Sequence, residues 1–457
     1  MTINSEFLFW IAWIVVPLIV EIIPSIGNFL LLSKKFLKTK FLKTITYYPE
    51  ITIIIPVYNS ADTLKKCIKS INDSTYNSEL ITIILVDNGS KDRSFEIFKE
   101  CQKEFTDLNM YYILSNQGKS RALNKAIFNS RGKYIINVDS DGRFNKFAIE
   151  NIVKKFERNI DSYCLTGVIL TEAQEIDETK NFFLRQIRKL EFIEYCNAFL
   201  AGRNYHSEKN SLFTISGAFS AFRKSALLQS FLYNTDTICE DAHMTFQMRK
   251  NNKKIELCED AIFYVSPIDN MGKLYTQRQR WQIGELEVFN MFYKKRLTIL
   301  KIFKDPALRT LIFDHTFSFP KLIWYFALIA LLIYNYSLKT IFIASIIIYF
   351  LYVLVGFLTY INVNMFLSKF KEDKKYYRRK ILYLFIFPLY NAFTFILRLI
   401  GIVNCTVRGS SWKTYSFKEE MSMVKDIILK DIGVKKEENT YEEYIEPWKN
   451  SNKWWHI

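Results

Sequence analysis

Cysteine and histidine are scarce in this chain, and neither is arranged for cross-linking. The 457 residues include seven cysteines, an odd number with no C-x-x-C pair, and four histidines that lie far apart. A disulfide scaffold needs paired cysteines, and a structural zinc site needs clustered Cys or His ligands. The sequence therefore argues against both a small disulfide-rich protein and a zinc centre.

Glycine and proline are also few, with 14 and 9 residues, whereas apolar residues make up 49% of the chain and aromatic residues 16%. Collagen-like, disordered and low-complexity chains have the opposite composition. At ~150 residues per domain, the length allows two or three folded units. We therefore expect a folded protein with more than one unit.

The net charge of +16 is concentrated beside apolar runs. Five lysines lie between residues 34 and 43, and seven basic residues oppose two acidic ones between residues 369 and 380. Such clusters are attracted to anionic lipid, and the positive-inside rule places both in the cytoplasm. The charge distribution favours a membrane partner and argues against nucleic acid.

Four apolar runs are long enough to cross the ~30 Å hydrocarbon layer of a bilayer. They cover residues 7–32, 317–336, 340–361 and 381–407. In the first run the lysines follow the apolar residues, which predicts an uncleaved anchor with its N-terminus outside. Pro388 and Arg398 leave a re-entrant arrangement open for the last run, so the side of the C-terminal tail stays undetermined.

These features divide the chain into five parts. The parts are a membrane anchor with a basic segment (1–48), a cytoplasmic domain (49–296), an amphipathic interface helix (297–316), three transmembrane or re-entrant segments (317–407) and a polar tail (408–457).

The cytoplasmic domain alternates short β-rich runs with segments of helical period. The runs 51–57, 81–86, 111–114 and 133–138 are typical of buried strands, and the pattern predicts a largely parallel α/β sheet. Polar residues follow these strands. Because ligands bind at the carboxyl ends of parallel strands, we expect the functional site at that edge of the sheet.

Three short motifs have both a chemical and a structural interpretation. Asp139 and Asp141, at i and i+2 after a strand, could hold Mg²⁺ or Mn²⁺, or could close an ordinary turn. Glu240 and Asp241 could act in proton transfer, or could be N-terminal helix charges. Asp87, in VDNGSKD, could belong to a functional site or to an ordinary turn, because Asp and Asn before Gly favour turns.

The segment QRQRW is more specific. Gln277, Arg280 and Trp281 lie at i, i+3 and i+4 and therefore share one helix face. There an amide and a guanidinium could bind a diphosphate, and an indole could support a sugar ring. The structural alternative is a basic surface helix with one buried Trp.

In their order along the chain, these motifs resemble the processive family-2 glycosyltransferases, which are the membrane synthases of cellulose, hyaluronan, chitin-type and poly-N-acetylglucosamine chains. The resemblance covers residues 51–292, and the length and span layout are similar to those of an exosortase-associated subgroup from Gram-positive bacteria. The matching segments are Pro56–Asn59, Asp87 in VDNGSKD, Asn116–Asn124, Asp139–Asp141, Ser216–Arg223, Glu240–Asp241 and Gln277–Trp281.

The resemblance implies a GT-A (Rossmann-like) fold with flanking transmembrane helices, and an inverting, metal-dependent hexosyltransferase. Asp241 would be the general base, with Glu240 beside it in the catalytic motif, and Cys239 stands before them where these enzymes usually have Thr. Asp139 and Asp141 would bind Mg²⁺ or Mn²⁺. The donor-binding residues would be Tyr58, Asp87, Lys119, Asp139, Gln277 and Arg280, and the acceptor-binding residues would be Trp281, Ser216 and Gly217.

We therefore expect a multi-pass plasma-membrane enzyme that transfers sugar from a UDP-sugar to a growing β-linked polysaccharide. Transfer of a single sugar to a lipid-linked acceptor stays open as an alternative. A catalytically inactive membrane scaffold is disfavoured because every motif carboxylate is present. The motifs do not encode the sugar, the linkage or any export or assembly partner.

Overall fold

The computed structural model of the chain describes residues 22–38, 47–293, 304–310 and 337–408, with residues 18, 298, 419 and 422 in addition. Most of the predicted N-terminal anchor, most of the interface helix, the apolar run 317–336 and nearly all of the tail lie outside the described residues.

The described part of the domain is built on an eight-stranded mixed sheet with the order β3-β2-β1-β4-β7-β6-β8-β5. The strands are β1 (Ile51–Val57), β2 (Ile81–Asp87), β3 (Asn109–Leu114), β4 (Tyr134–Val138), β5 (Gly142–Phe144), β6 (Ser162–Thr171), β7 (Phe219–Arg223) and β8 (Lys254–Val265). The four predicted strands form the parallel half, in which β1 pairs with β2 and β4, and β2 pairs with β3. The other half differs, because β7 runs antiparallel to both β4 and β6.

Helices connect the strands and cover the sheet. They are α1 (Ile23–Lys38), α2 (Ala61–Asn72), α3 (Ser94–Glu104), α4 (Lys119–Asn129), α5 (Ala148–Arg158), α6 (Ala173–Asp177), α7 (Phe182–Tyr195), α8 (Arg203–Glu208), α9 (Lys224–Leu228), α10 (Glu240–Lys250), α11 (Met271–Tyr293), α12 (Leu338–Phe366), α13 (Lys371–Arg378) and α14 (Tyr383–Arg408). Short 3₁₀ turns occupy Ser78–Leu80 and Leu367–Lys369, and a π-helix occupies Cys196–Gly202.

Strand β1 shows why the sheet is buried on both faces. Its residues Ile53 and Ile55 pack into one apolar cluster with helices α2, α3 and α5, whereas Ile54 packs into a second cluster with α4. Successive strand residues point to opposite faces, so a continuous apolar run is what a doubly covered sheet requires. The predicted α/β architecture is therefore confirmed.

Two of the described helices are long and apolar enough to cross a membrane. The stretches are Leu338–Lys369, which contains an 18-residue window with a mean hydropathy of 2.7, and Tyr383–Ile400, with a mean hydropathy of 1.6. They coincide with two of the predicted runs, and helix α1 packs against the first of them. On α12, large apolar side chains such as Phe342 and Phe350 are exposed.

The basic segment between these helices contacts the domain that contains the sheet. It contains helix α13, in which the buried Asp373 accepts a hydrogen bond of 2.7 Å from the hydroxyl of Tyr264 on β8. Lys369 forms an ion pair with Asp260 of the same strand. Lys369 belongs to the basic cluster that the sequence analysis predicts to face lipid. In the structure this charge holds the segment against the sheet instead.

Candidate active site

A cavity of about 900 Å³ lies at the carboxyl ends of β1, β2 and β4, beside the first turns of α4 and α10 and the middle of α11. Every predicted site residue except Asp87 lines it. The lining residues among them are Tyr58, Lys119, Asp139, Asp141, Ser216, Gly217, Glu240, Asp241, Gln277, Arg280 and Trp281. The fold thus brings together motifs that are widely separated along the chain.

Asp139 and Asp141 follow β4, where the chain turns into β5. The Lys119 ammonium lies 2.6 Å from Asp139 Oδ1 and 3.2 Å from Glu240 Oε1, so one cation joins two of the motifs. Burial lowers the pKa of Lys119, but the charges of Asp139 and Glu240 outweigh it and raise the pKa overall. Burial, together with the charge of Asp139, raises the pKa of Asp141 to about 6.

These two carboxylates fit a hard divalent cation that also binds phosphate. Within the described residues, no group of three or more His, Cys, Asp and Glu side chains is arranged to hold a metal ion. Mg²⁺ is commonly bound by one or two carboxylates, several waters and the phosphates of a substrate. A cation shared between this pair and a diphosphate would therefore need no further protein ligand.

Asp241 lies in the first turn of α10 and faces the cavity. Its Oδ2 accepts a hydrogen bond of 3.0 Å from the Gly217 amide, and its Oδ1 accepts one of 2.7 Å from the Ala242 amide. The Cys239 thiol donates to Oδ1 at 3.1 Å. Burial and the neighbouring charge of Glu240 raise the pKa of Asp241 above its ordinary value. A fixed carboxylate with a raised pKa suits a general base.

Helix α11 presents one face of the QRQRW segment to the cavity, as its spacing predicts. Arg280 is exposed there, and Trp281 is half-buried. The Trp281 ring meets the ring of Phe199 edge-on, with 6.0 Å between centroids and an interplanar angle of 76°. The guanidinium, the amide of Gln277 and the indole are therefore side by side on the cavity wall.

Comparison with known proteins identifies this part of the chain. Residues 52–231 match the model of the family described as glycosyl transferase family 2. The chain carries a family-2 glycosyltransferase domain. The family predicted from the order of the motifs is confirmed, whereas membership of the exosortase-associated subgroup stays a prediction.

The relatives of the glycosyltransferase domain include two synthases of one polymer. The chain is 27% identical over 272 residues to the poly-β-1,6-N-acetyl-D-glucosamine synthase of Staphylococcus epidermidis, a match that covers 58% of this chain and 62% of the relative. It is 25% identical over 238 residues to the synthase of the same name from Staphylococcus aureus strain MSSA476, covering 52% and 55%. The matches thus span less than two thirds of each relative.

A solved structure confirms the fold of the glycosyltransferase domain. The mannosyltransferase of Pyrobaculum calidifontis, in complex with GDP-Man and Mn²⁺, is 17% identical and superposes with a TM-score of 0.56. The match covers 79% of this chain and 96% of the mannosyltransferase. The fold is therefore GT-A-like, with a mixed α/β sheet.

Asp87 is the predicted residue that the glycosyltransferase domain does not bring to the cavity wall. Its buried carboxylate accepts hydrogen bonds from the Ser90 amide at 2.8 Å and from the Tyr112 hydroxyl. Burial raises the pKa of Asp87, but these hydrogen bonds outweigh it and lower the pKa overall. Its neighbour Asn88 lines the cavity instead and accepts from the Gly118 amide. Asp87 therefore shapes the loop that carries Asn88.

Arg278 differs sharply from Arg280, two positions along α11. Its side chain is fully buried and forms an ion pair of 2.6 Å with Glu194 on α7. It donates to Gln277 Oε1 at 3.1 Å, and its guanidinium carbon lies 4.4 Å from the centroid of the Trp281 ring. Arg278 thus contacts both Gln277 and Trp281 from the protein interior and helps to fix their positions. The sequence did not reveal this role.

Helix α11 also lies very close to the loop of the candidate base. A Cβ atom added at Gly284 would lie 2.4 Å from the Cβ of Cys239, too close for any side chain. Glycine therefore allows the approach. Two further charged cavity residues, Arg203 and Glu285, belong to no motif that sequence patterns single out.

Proposed function

We propose that this chain is a membrane-embedded inverting glycosyltransferase that transfers a sugar from a UDP-sugar to a growing β-linked polysaccharide. The observation that carries the proposal is the single cavity in which Asp241, the Asp139–Asp141 pair and the Gln277–Trp281 face meet. The names of the staphylococcal relatives support N-acetylglucosamine as the sugar.

In this proposal the donor occupies the half of the cavity between Tyr58 and Arg280. Asn88 and Tyr58 lie at the carboxyl ends of β2 and β1, where a nucleoside is held in sheets of this kind. The Lys119 ammonium and the Arg280 guanidinium supply positive charge for the diphosphate. Asp139 and Asp141 would hold Mg²⁺ or Mn²⁺, which stabilises the charge of a leaving diphosphate when it is bound.

The reaction needs one base. Asp241 takes the proton of the acceptor hydroxyl while the hydroxyl oxygen attacks the anomeric carbon of the donor. The bond from that carbon to the diphosphate oxygen breaks, and UDP leaves with the electron pair. Direct displacement converts an α-linked donor into a β-linked product, and the hydrogen bonds from Gly217 and Ala242 keep the carboxylate aimed at the acceptor.

The proposed acceptor site lies beside the base. Trp281 offers a flat apolar surface on which the terminal sugar of the chain would rest, and Ser216 and Gly217 form the loop that holds Asp241. Placement of a candidate active site next to helices that could cross a membrane supports synthesis at the membrane surface.

A second candidate function is transfer of one sugar to a lipid-linked acceptor. A separate cavity of about 650 Å³ lies between α1, the π-helix, α12 and α14, and both apolar and polar side chains line it. The π-helix separates the two cavities: Phe199 lines the first cavity, and Asn197 and Ala201 line the second. A lipid-borne acceptor could occupy such a space.

The test is to supply membranes that contain the chain with UDP-N-acetylglucosamine, UDP-glucose and UDP-glucuronate, to measure UDP release and to size the product. We expect release with one donor and a polymeric product, with the Asp241→Asn variant as the inactive control. A product that carries a single added sugar on lipid would favour the second candidate. No release with any donor from folded protein would contradict both.

A further inference from the structure

Arg203 lies in the wall of the active-site cavity, and most of its N–H donors have no hydrogen-bond partner among the described residues. It is the first residue of α8 and follows the π-helix directly. Its guanidinium carbon lies 4.5 Å from the centroid of the Phe199 ring, and its Nη1 is 3.4 Å from Thr166 Oγ1. Among the described residues it forms no ion pair within contact distance. One long hydrogen bond thus engages a group that has five N–H donors.

Three other arginines of the domain have closer polar partners. Arg143 forms a two-point ion pair with Glu172, and Arg278 pairs with Glu194 at 2.6 Å. Arg223 donates to the hydroxyl of Tyr134 and to three backbone carbonyls. Buried polar groups are normally hydrogen-bonded, because an unpaired donor keeps its full desolvation cost. A guanidinium left with unused donors in a cavity is therefore suited to a ligand.

The surroundings of Arg203 belong to the acceptor side of the cavity. Thr166 Oγ1, its hydrogen-bond partner, also accepts from the Ser216 amide at 2.9 Å. Phe199, its aromatic partner, forms a T-shaped pair with Trp281. Both contacts therefore lead to residues of the proposed acceptor site. The donor-side residues Lys119 and Asp139 form their own ion pair.

The charges that face Arg203 indicate the kind of group it binds. Burial lowers the pKa of Arg203 to about 10, and the carboxylates of Asp241 and Glu285 act in the opposite direction. The guanidinium therefore stays protonated at neutral pH, with two negative charges nearby. An anionic ligand would be repelled by these carboxylates, whereas an uncharged oxygen can accept hydrogen bonds without that cost.

We propose that Arg203 is an acceptor-recognition residue whose guanidinium donates hydrogen bonds to an uncharged oxygen of the saccharide resting on Trp281. The oxygen is either the carbonyl of an N-acyl group or a ring hydroxyl. This inference rests on the proposed function, and it adds a residue that determines which acceptors the site takes.

The experiment uses the full chain in membranes and compares Arg203→Met, Arg203→Lys and Arg131→Met. Arg131 is exposed and lies outside the cavity, so its variant makes the same chemical change without touching the site. For each variant we measure UDP affinity, kcat and the KM for oligomers of β-1,6-linked N-acetylglucosamine. The same constants are measured for matching oligomers of glucose, in which a hydroxyl replaces the acetamido group.

We expect Arg203→Met to raise the KM for the N-acetylated acceptor about tenfold or more, the loss typical of one charge-assisted hydrogen bond. UDP affinity should stay within about twofold of wild type, and Arg203→Lys should recover part of the loss, because an ammonium can still donate. A rise confined to the N-acetylated acceptor assigns the carbonyl. A rise for both acceptors assigns a hydroxyl.

Two results would overturn the inference. The first is an acceptor KM that Arg203→Met leaves equal to that of Arg131→Met. The second is a parallel loss of UDP affinity, which would make Arg203 a donor-site or structural residue. Failure of the proposed function would look different, because wild type itself would then elongate neither oligomer.

Discussion

The substitution Asp241→Asn tests the proposed base with little change of shape. In the wild type, Oδ1 accepts from the Ala242 amide and the Cys239 thiol, and Oδ2 accepts from the Gly217 amide. An asparagine has one acceptor oxygen, so it can keep the contacts of one side only. The NH₂ group then faces a donor on the other side, most simply the Gly217 amide.

The sign of the stability effect follows from the pKa. Because burial and Glu240 raise the pKa of Asp241 in the folded protein, its ionised form costs folding free energy at neutral pH. Asparagine removes that cost, but it leaves the Gly217 amide facing another donor, which costs ~1 to 3 kcal/mol. The two effects oppose each other, so we expect the variant to fold.

The catalytic effect should be much larger. Removal of a general base lowers the rate by a factor of ~10² to 10⁴. UDP affinity should change little, because the proposed base acts on the acceptor and not on the donor. In the wild type, kcat/KM should rise with pH through a pKa above the ordinary aspartate value of 3.8, since the base must lose its proton to act.

The assay measures UDP release and UDP affinity in the same membranes, with Asp161→Asn as the control for an exposed aspartate outside the cavity. Activity of Asp241→Asn within a few-fold of wild type would remove Asp241 from its role. An equal loss of UDP affinity and rate would show that the residue serves the donor.

Three further predictions address the rest of the cavity. EDTA should abolish turnover and Mg²⁺ or Mn²⁺ restore it, and Asp139→Ala and Asp141→Ala should each lose metal-dependent UDP affinity in calorimetry. That affinity should fall as the pH drops through the Asp141 pKa of about 6. Trp281→Ala should keep UDP binding but give no long product on a gel, whereas Arg280→Ala should weaken UDP binding by ~1.5 to 3 kcal/mol. Gly284→Val should abolish UDP release by forcing α11 off the base loop.

Much of the parallel half of the fold could be predicted from the sequence. Runs such as 51–57 identify a strand, and polar residues after each strand identify the edge at which a ligand binds. Because parallel strands end at the same edge, Tyr58 and Asp139 had to come together. Their positions on the cavity wall agree with that reasoning.

The other half of the sheet could not be predicted in the same way. Strands β6 and β8 pair in parallel although more than eighty residues separate them, and β7 enters between β4 and β6 in the opposite direction. An apolar run shows that a strand exists, but its partner and direction depend on long-range packing. Arg203 could not be predicted for a related reason. It belongs to no sequence motif, and only the folded chain places it on the cavity wall.

The two arginines of QRQRW show what spacing can and cannot decide. A separation of two residues places Arg278 and Arg280 on opposite sides of α11, which follows from helix geometry alone. The sequence does not reveal which side meets protein and which meets the cavity. The structure resolves this through Glu194, which binds Arg278 and also accepts a hydrogen bond of 2.8 Å from the Tyr390 hydroxyl of α14.

This contact joins the candidate membrane helix α14 to the active site. Tyr390 holds Glu194, Glu194 holds the fully buried Arg278, and Arg278 contacts both Gln277 and Trp281 on the cavity wall. Breaking a buried ion pair typically costs ~3 to 5 kcal/mol, so the arrangement of these two side chains depends strongly on the partner at the other end. One of the apolar helices therefore contributes to the candidate site itself, because it fixes the charge that orients the proposed diphosphate and acceptor contacts.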